Sequence, residues 1–440
     1  MGRTAVAAGF VLSLVWPQAP AWPPARPGTE SFAMRVVATD LEGPWEMLWG
    51  PDGRLWVTER IGKRVVRIDP ATGARSLAVT IADVSQRDGQ DGLLGMAVGT
   101  NTVYVAMTYD ADPGPAERRR LKVRRYTYDP ASETLSSPSD VLADLPMGSD
   151  HVSGRLALGP DQKLYLTVGD QGNNQLGNFC KPIRAQDLPT AADVKAQNWE
   201  TYQGKILRIN PDGSIPADNP LLAGVRSHIY TYGHRNAQGL AFGPDGQLYA
   251  SEHGPSVDDE LNLIVGGKNY GWPFVAGYRD DRVYVYARWA DSTPAPCATL
   301  TFDPIVAPAS VPQQKETAWN HPDFMPPLRT FFTVGDDYRF AEQGNATIAP
   351  SGIDVYAVRS GGIPGWSNSV LITSLIRGTV YRVKLASSGD AVVGETLEYF
   401  TSKDRYRDVV VSPDGRTIYV AADTGSQVHP RSILAFTYQQ

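Results

Sequence analysis

The sequence predicts an all-β protein, a six-bladed β-propeller made of four-stranded antiparallel sheets. The first observation is a phrase of about ten residues, a Pro-Asp turn followed by an alternating apolar strand. It occurs at residues 49–58, 158–167, 242–249 and 411–420. The second observation is that further β-rich runs lie between these copies, whereas no stretch sustains helical periodicity.

The turn and the spacing of the copies support the same fold. Proline presets the φ angle of a tight turn, aspartate caps it, and in three copies glycine supplies a positive φ. The copies start about 109, 84 and 169 residues apart, so we expect an intermediate copy to have diverged within the last interval. In a propeller the long loops gather around a central channel, where we expect the functional residues.

Length and charge limit the organisation of the chain and its partners. We predict one propeller domain over residues 33–440, because all blades of a propeller share one ring. The net charge of −6 argues against binding to nucleic acid or to an anionic membrane surface. No segment approaches the roughly 20 apolar residues that a membrane-spanning helix needs.

The N-terminus has the pattern of a secretory signal. Residues 1–21 combine a basic start, an apolar run and a small-residue cleavage site. Cleavage after Ala21 leaves a proline-rich leader, residues 22–32, which we predict to be disordered. The predicted location is therefore secreted or periplasmic. In such a location Cys180 and Cys297 either form one disulfide or remain two unpaired thiols.

Three of the six histidines, His151, His234 and His253, lie in polar, glycine-rich phrases. Imidazole titrates near neutrality, which suits a general base that takes a proton from an alcohol. For each histidine alone, a half-buried structural role is the alternative. His151 is the best candidate, because Asp170 closes the same predicted blade with a carboxylate that can orient the ring.

Arginines form a second candidate site. Arg405 and Arg407 precede a predicted strand, and on an extended chain their side chains lie on the same face. Together with Arg235 they are candidates to clamp a ligand with several carboxylates through bidentate hydrogen bonds. A solvated strand edge is the alternative for the pair.

Carboxylates and glycine-flanked turns alternate over residues 258–281. Calcium takes about six to eight oxygen ligands, so this segment is a candidate calcium site, with a polar loop as the alternative. The sequence lacks the Gly-x-Ser-x-Gly, His-Glu-x-x-His, P-loop and dinucleotide-binding motifs. Serine-hydrolase, zinc-protease and nicotinamide-dependent functions are therefore disfavoured.

Longer motifs point to a known family. They are Gly89-Gln90-Asp91-Gly92-Leu93-Leu94-Gly95 and residues 153–175, 211–216 and 233–240. In this order, within a chain that aligns from Leu41 to Tyr438, they resemble the soluble pyrroloquinoline quinone (PQQ)-dependent glucose dehydrogenases and their aldose dehydrogenase relatives. The resemblance implies oxidation of an aldose at C1 to the lactone, hydride transfer to PQQ, and reoxidation by an external electron acceptor.

The resemblance also implies roles for individual residues. His151 matches the general base, Asp170 the carboxylate that orients it, and Arg235 the cation beside the quinone carbonyl. The matches to sugar-lining positions are Gln90, Asp150 and Gln175. The matches to cofactor contacts are Arg235, Asn236, Arg405 and Arg407.

Two calcium sites are implied in the same way. The carbonyls of Gly254 and Pro255 match ligands of the calcium that also binds PQQ. The matches to a second site, which supports a dimer in the family, are Glu260, Tyr270, Ala276, Asp280 and Glu316. The implied cofactors are therefore PQQ and calcium, and a homodimer is expected.

Several positions depart from the family pattern. Ile376 stands where the family has a cofactor-contacting lysine, which predicts weaker PQQ binding, and Arg377 is expected to face the other way. Glu342 and Asn345 replace an aromatic pair that packs over the sugar, so the expected substrate is an aldose, either glucose or a related sugar. His253 replaces a glutamine beside the calcium-binding carbonyls.

Two alternatives to a quinoprotein dehydrogenase remain. The first is a non-catalytic extracellular propeller that binds a partner on its loop-rich face, which predicts large exposed apolar patches there. The second is a calcium-dependent lactone hydrolase, which needs carboxylates around a deep calcium. The polar, charged loops favour the dehydrogenase over the first alternative. The clustering of the carboxylates in a single loop phrase disfavours the second.

Overall fold

The computed structural model describes residues 24–87, 89–112, 114 and 117–440. The predicted signal peptide, residues 1–21, lies outside the described residues. Over the described part, the chain forms six antiparallel sheets whose inner strands surround a central channel. The prediction of an all-β, six-bladed propeller is therefore confirmed.

The first three blades follow one another along the chain, each running from an inner to an outer strand. The strands of blade 1 are Pro44–Trp49, Leu55–Glu59, Arg64–Ile68 and Arg75–Thr80. The strands of blade 2 are Leu93–Val98, Thr102–Asp110, Arg119–Asp129 and Thr134–Leu145. The strands of blade 3 are Ser153–Leu158, Leu164–Val168, Lys205–Ile209 and Ile229–Tyr232.

The last three blades continue the pattern, with a long insertion before the outer strand of blade 4. The strands of blade 4 are Ala237–Phe242, Leu248–Glu252, Asp259–Ile264 and Arg329–Phe331. The strands of blade 5 are Pro350–Tyr356, Ser369–Ser374, Val380–Leu385 and Val392–Tyr399. The strands of blade 6 are Tyr406–Val411, Thr417–Ala422, Ser432–Tyr438 and, from the other end of the chain, Phe32–Ala38.

The two ends of the described chain meet in blade 6. Phe32–Ala38 is its outer strand and pairs antiparallel with Ser432–Tyr438. The inner strands contact one another in chain order, and the inner strand of blade 6 contacts that of blade 1. The ring is thus closed by hydrogen bonds between the first and last parts of the sequence.

Short elements lie in the connections between the main strands. The two-residue strands are Arg26–Pro27, Leu221–Leu222, Val225–Arg226, Tyr286–Ala287 and Gln313–Gln314. The α-helices are Ala191–Lys195 and Phe340–Gln343. The 3-10 helices are Leu176–Asn178, Glu200–Tyr202, Trp289–Asp291, Cys297–Thr299 and Glu316–Ala318. No helix among the described residues has the length and apolar character needed to cross a membrane.

The repeated phrase of the sequence joins the first and second strands of blades 1, 3, 4 and 6. In blade 1 the carboxylate of Asp52 accepts a hydrogen bond from the backbone N–H of Arg54 at 3.2 Å, which caps the turn. Blade 5 occupies the interval where we expected a diverged copy, and the longer loop 357–368 replaces its turn. The spacing of the repeats therefore predicted the position of this blade.

Apolar faces of neighbouring blades pack against each other to form the core. Leu94 of blade 2 and Leu156 and Leu166 of blade 3 lie in one buried cluster. Met47 of blade 1 and Val410 of blade 6 lie in another. Because alternate residues of a strand face opposite sides of its sheet, each blade contributes to the core on both sides.

The leader differs from the sequence prediction where it is described. Arg26–Pro27 pairs in parallel with the outer strand of blade 5. Glu30 accepts hydrogen bonds from Nε1 of Trp366 at 2.9 Å and from the hydroxyl of Tyr399 at 2.6 Å. Residues 24–31 therefore lie along blade 5, because polar groups of that blade bond to this segment. The prediction that these residues are disordered is wrong.

Candidate active site

One rim of the ring, which we call the mouth, carries a polar side chain within two residues of the end of the second strand of each blade. These residues are Glu59, Thr108, Asp170, Glu252, Ser374 and Asp423. Each bonds to the chain at or just before the inner strand of its own blade. The inner strands also have a register shift near their start, and such bulges re-aim side chains. The repeat thus builds a ring of polar groups around the channel.

In blade 3 this arrangement brings His151 and Asp170 together. Nδ1 of His151 lies 2.6 Å from Oδ1 of Asp170, and both side chains are buried. An ionised carboxylate only accepts, so the ring proton lies on Nδ1 and the lone pair on Nε2. The backbone of His151 is in the left-handed region, with a φ of 46°. Its carbonyl oxygen packs against Gly169, where a Cβ atom would lie 1.9 Å from that oxygen. Only glycine fits there.

Gln175 connects the imidazole to its neighbours. Its Nε2 lies 3.1 Å from Nε2 of His151 and donates to Oδ2 of Asp150 at 3.0 Å. Its Oε1 accepts a 2.8 Å hydrogen bond from Nη2 of Arg235. Gln90 donates to the other oxygen of Asp150. The structure therefore places the predicted base, the predicted cation and the predicted sugar-lining residues in one network.

Arg235 is the cationic side of this network. Its guanidinium carbon lies 5.3 Å from the centre of the Trp272 ring. Its side chain is largely buried, and Nε has no hydrogen-bond partner among the described residues. A buried guanidinium with a free N–H is suited to an anionic or electron-rich ligand, because an unpaired buried donor is costly.

A cavity of about 450 Å³ opens beside the network and is lined by cations. Arg405 and Arg407 both line it, as predicted from their spacing, and Arg60 is a third guanidinium that the motifs did not indicate. Asp423 is the one carboxylate among the described lining residues, and it accepts from Nη2 of Arg407 at 2.8 Å. Burial, and then repulsion by Arg407, lower the pKa of Arg60. The cavity is therefore suited to an anion.

The sequence does contain a feature that could have identified Arg60, which is its position relative to the repeated phrase. Arg60 directly follows Glu59, the last residue of the second strand of blade 1, as His253 directly follows Glu252 at the end of the second strand of blade 4. Aligning the copies of the repeated phrase would have placed Arg60 at the mouth. Asn236, by contrast, lies behind the cavities, where its side-chain oxygen accepts from Ser153 and Gln238, each at 3.0 Å.

The structure places Ile376 at the cationic cavity and turns Arg377 away from it, as the sequence predicted. Ile376 lines the cationic cavity and is 56% exposed. Arg377 packs over the ring of Phe332, with 4.6 Å between its guanidinium carbon and the ring centre, and does not line the cavity as described. Arg377 therefore does not replace a cation at position 376.

A second cavity, of about 170 Å³, is lined by Arg235 and Gln175, which do not line the cationic cavity as described. Its outer wall is apolar and is formed by Val283, Tyr284, Val285, Trp289, Phe302, Pro304, Ile305 and Phe340. Glu342 and Asn345 are exposed and do not line it as described. Phe340, two residues before Glu342, thus supplies an aromatic wall that the sequence alignment had missed.

The apolar wall is connected in two ways to the loop that carries Gln175. Nδ2 of Asn174 donates to the carbonyl of Ala287 at 2.9 Å, and the N–H of Trp289 donates to Oδ1 of Asn174 at 3.2 Å. Cys180 and Cys297 form a disulfide between the same two segments, which decides between the alternatives left open by the sequence. The wall therefore has a fixed position relative to His151.

The other two candidate histidines have structural contacts. His234 bonds to Glu252 at 2.9 Å and to Thr231 at 2.8 Å and is 1% exposed. Nε2 of His253 donates to the carbonyl of Pro350 at 2.7 Å. Burial, and then the nearby Arg235, lower the pKa of His253 to about 3. His253 is therefore neutral at neutral pH, and of the two candidate roles the structural one applies to it.

The predicted calcium ligands lie near a very small cavity of about 10 Å³, roughly the size of one water molecule. Glu260, Tyr270, Ala276 and the Gly254–Pro255 segment line it. Glu316 lies behind this cavity, where it accepts from the N–H of Ala276 at 3.0 Å. In the described part of the chain, no three His, Cys, Asp or Glu residues are grouped so as to hold a metal ion.

Comparisons with known proteins identify the family of the chain. The chain matches the Glucose / Sorbosone dehydrogenase family over residues 41–328 and 339–429. It is 41% identical over 444 residues to quinoprotein glucose dehydrogenase B of Acinetobacter calcoaceticus, covering 94% of this chain and 93% of that protein. It is 29% identical over 277 residues to an aldose sugar dehydrogenase of Escherichia coli (strain K12), covering 60% and 67%.

A solved structure shows the same likeness. The PQQ-bound form of an aldose sugar dehydrogenase from Streptomyces coelicolor has a TM-score of 0.65 and 26% identity, covering 94% of this chain and 100% of that one. The family match spans most of the propeller, and it includes the segments that carry His151, Asp170 and Arg235. The chain therefore belongs to the Glucose / Sorbosone dehydrogenase family, a family of oxidoreductases.

Proposed function

We propose that this protein is a PQQ-dependent dehydrogenase that oxidises the C1 hydroxyl of an aldose to the lactone. The observation that carries the proposal is the position of the His151–Asp170 pair and Arg235 beside a cationic cavity and a second, partly apolar cavity. The relatives support it, since one is named a quinoprotein glucose dehydrogenase and another is solved with PQQ bound.

The cationic cavity fits PQQ. Arg60, Arg405 and Arg407 line it and would hold the carboxylates. Arg235 lines the second cavity, where its buried Nε has no partner among the described residues, and it would face the side of the cofactor that is turned toward the sugar. When bound, PQQ supplies the two-electron chemistry by accepting the hydride that leaves C1 of the sugar. The protein contributes geometry and charge.

His151 would remove the proton of the sugar. Nε2 carries the lone pair and faces the network of Gln175 and Asp150, whose polar atoms can orient the sugar hydroxyls. The carboxylate of Asp170 stabilises the imidazolium that forms when Nε2 takes the proton from the C1 hydroxyl. Loss of this proton and of the hydride converts the C1 carbon to the lactone carbonyl.

Calcium belongs to the same proposal. The carboxylates of Asp258, Glu260 and Glu316 are buried, and we infer that they and the carbonyls of Gly254 and Pro255 surround calcium ions. Burial, and then nearby acidic groups, raise the pKa of Asp258 to about 8 and of Glu316 to about 9. A divalent cation would relieve the cost of ionising these groups, which supports the assignment.

The proposal extends to the location and partners of the protein. A disulfide such as Cys180–Cys297 persists in oxidising compartments, which supports a secreted or periplasmic protein. There, an external electron acceptor would reoxidise the cofactor. The expected homodimer is also part of this proposal and is tested by measuring the molecular mass in solution with and without calcium.

Titration of the calcium-loaded apoprotein with PQQ tests the proposal. After saturation, an aldose is added and the absorbance of the quinone is followed. We expect the sugar to bleach the quinone band in the wild type and to leave it unchanged in His151→Ala, which should still bind PQQ. His429→Ala is a matched control, because this histidine also bonds to a carboxylate, that of Asp404 at 2.8 Å. Failure of every aldose to reduce the bound cofactor would refute the proposal.

A further inference from the structure

Trp272 contacts both charged sides of the proposed active site. Its Nε1 donates a 2.8 Å hydrogen bond to Oδ2 of Asp170. Its ring lies under Arg235, with 5.3 Å between the ring centre and the guanidinium carbon. The side chain is 8% exposed, so these contacts form in a dry environment where electrostatic interactions are strong.

The backbone on either side of the indole is fixed by hydrogen bonds. The N–H of Trp272 donates to the carbonyl of Gly233 at 2.9 Å, and its carbonyl accepts from Nε2 of Gln186 at 2.7 Å. Gln186 and Asn269 are joined by two amide hydrogen bonds of 2.7 and 3.0 Å. The insertion in blade 4 is therefore anchored where it delivers the indole to the mouth.

The hydrogen bond to Asp170 has a consequence for the base. Oδ1 of Asp170 accepts from His151 at 2.6 Å and from the N–H of Gly172 at 2.9 Å, whereas the indole bonds to Oδ2. A donor at Oδ2 disperses part of the carboxylate charge and holds the carboxylate plane in place. Less of the carboxylate charge is then available to stabilise the imidazolium that forms when His151 takes a proton.

Other charged groups also face this pair. Oδ2 of Asp150 lies 3.8 Å from Nε2 of His151. Arg235 and His253 are close on the other side, and Tyr284 lies within electrostatic range of Asp170. These groups stay in place when the indole N–H alone is removed, so the effect of that bond can be isolated.

We propose that Trp272 is a positioning residue for the reaction: its N–H fixes and partly neutralises the carboxylate of Asp170, and its ring supports the guanidinium of Arg235. The inference rests on the proposed dehydrogenase function. Trp272 itself transfers no proton or electron.

Trp272→Phe tests the inference, because phenylalanine keeps a ring under Arg235 and lacks the N–H. The holoenzyme, reconstituted with PQQ and calcium, is mixed with an aldose, and the rate of quinone reduction is measured from pH 4 to 9. We expect the acid limb of the profile to move up by about 0.5 pH unit. We expect the plateau rate to fall about tenfold, equivalent to about 1.4 kcal/mol, and the sugar KM and the PQQ Kd to stay within about twofold.

Trp56→Phe is a matched control at the opposite rim. Nε1 of Trp56 donates to Asp52 at 2.9 Å, and Arg67 lies 5.7 Å over its ring, so the same three groups meet away from the mouth. We expect Trp56→Phe to lower the Tm and to leave the pH profile unchanged.

Three outcomes would overturn the inference. A Trp272→Phe profile that superimposes on the wild type after scaling means that the residue is structural only. An equal shift in Trp56→Phe means that the effect is global. A wild-type holoenzyme that oxidises no aldose refutes the proposed function itself. If Trp272→Phe does not fold, incorporation of benzothienylalanine at position 272 keeps the bicyclic shape without the N–H and should give the same shift.

Discussion

Nη2 of Arg235 donates a 2.8 Å hydrogen bond to Oε1 of Gln175, whose Nε2 lies 3.1 Å from Nε2 of His151. One amide therefore joins the cation of the site to the nitrogen that would act as the base. The amide oxygen and nitrogen have opposite partners, so the orientation of Gln175 is determined by both neighbours. The relative position of base and cation is thus set before a ligand binds.

Gln175→Leu should disrupt this arrangement. The variant leaves Nη2 of Arg235 and Oδ2 of Asp150 without the contacts that they have now. Hydrogen bonds to charged groups contribute about 1.5–3 kcal/mol, so we expect kcat/KM to fall about 10- to 100-fold. Steady-state kinetics with an artificial acceptor measures the loss. Gln247→Leu is the control, since this amide bonds to Ser388 at 2.8 Å on the opposite rim. Equal losses in both variants would contradict the specific role of Gln175.

Ile376→Lys should strengthen cofactor binding. The side chain is 56% exposed at the edge of the cationic cavity, so a lysine there can reach an anionic ligand without being buried. We expect the Kd for PQQ to fall about tenfold at low salt and the gain to shrink as salt is added. Val428→Lys is the matched control, because Val428 is 54% exposed and does not line the cavity as described. The prediction is wrong if both lysines improve binding equally.

Calcium should stabilise the apoprotein more at pH 9 than at pH 6. Burial, and then the neighbouring Asp280, raise the pKa of Asp258 to about 8; burial, and then Asp258, raise that of Glu316 to about 9. A carboxyl with a raised pKa in the folded state contributes stability below its unfolded pKa of about 4 and loses it as pH rises through 8 to 9. The calcium-free protein should therefore be less stable at pH 9 than at pH 6. Calcium binds the ionised carboxylates, so it should offset this loss of stability.

Thermal unfolding with EGTA or with calcium at both pH values measures this difference. Glu316→Gln should reduce both the loss of stability at high pH and the calcium effect. Asp303→Asn is a control, since Asp303 is exposed and bonds to the backbone of its own loop. A calcium-induced shift in Tm that is the same at pH 6 and pH 9 would contradict the prediction.

The double variant Cys180→Ser/Cys297→Ser should loosen the apolar wall of the second cavity. The disulfide ties this wall to the loop that carries Gln175, so we expect a higher KM for the sugar with a smaller change in kcat. The free energy of unfolding should fall by about 2–5 kcal/mol. Kinetics and denaturant unfolding, with and without a reductant, measure both effects. Reduction should change the wild type in the same direction and leave the double variant unchanged; an unaltered KM in the variant would refute the link.

Features set by the repeat could be predicted from the sequence. The Pro-Asp turns placed the first and second strands of four blades, and this placed Asp170 across from His151. The period of two in a strand placed Arg405 and Arg407 in one cavity. In these cases local geometry determines the outcome, because a strand and a tight turn fix where the next side chains lie.

Features of the long insertion could not be predicted in this way. Trp272 and the apolar wall reach the mouth because of contacts between distant residues, among them the paired amides of Gln186 and Asn269 and the disulfide. No local pattern records these contacts. The order in residues 24–31 was missed for the same reason, since Glu30 pairs with Trp366 and Tyr399 far along the chain.

The closure of blade 6 has a consequence for how the protein is made. Phe32–Ala38 precedes the inner strands of all six blades along the chain, whereas its partner Ser432–Tyr438 follows them. The early strand must therefore remain unpaired, and protected from other chains, until Ser432–Tyr438 has been synthesised. Because Arg407 and Asp423 lie in this same blade, a chain that lacks either of the two strands should be unable to retain the cofactor and should be inactive.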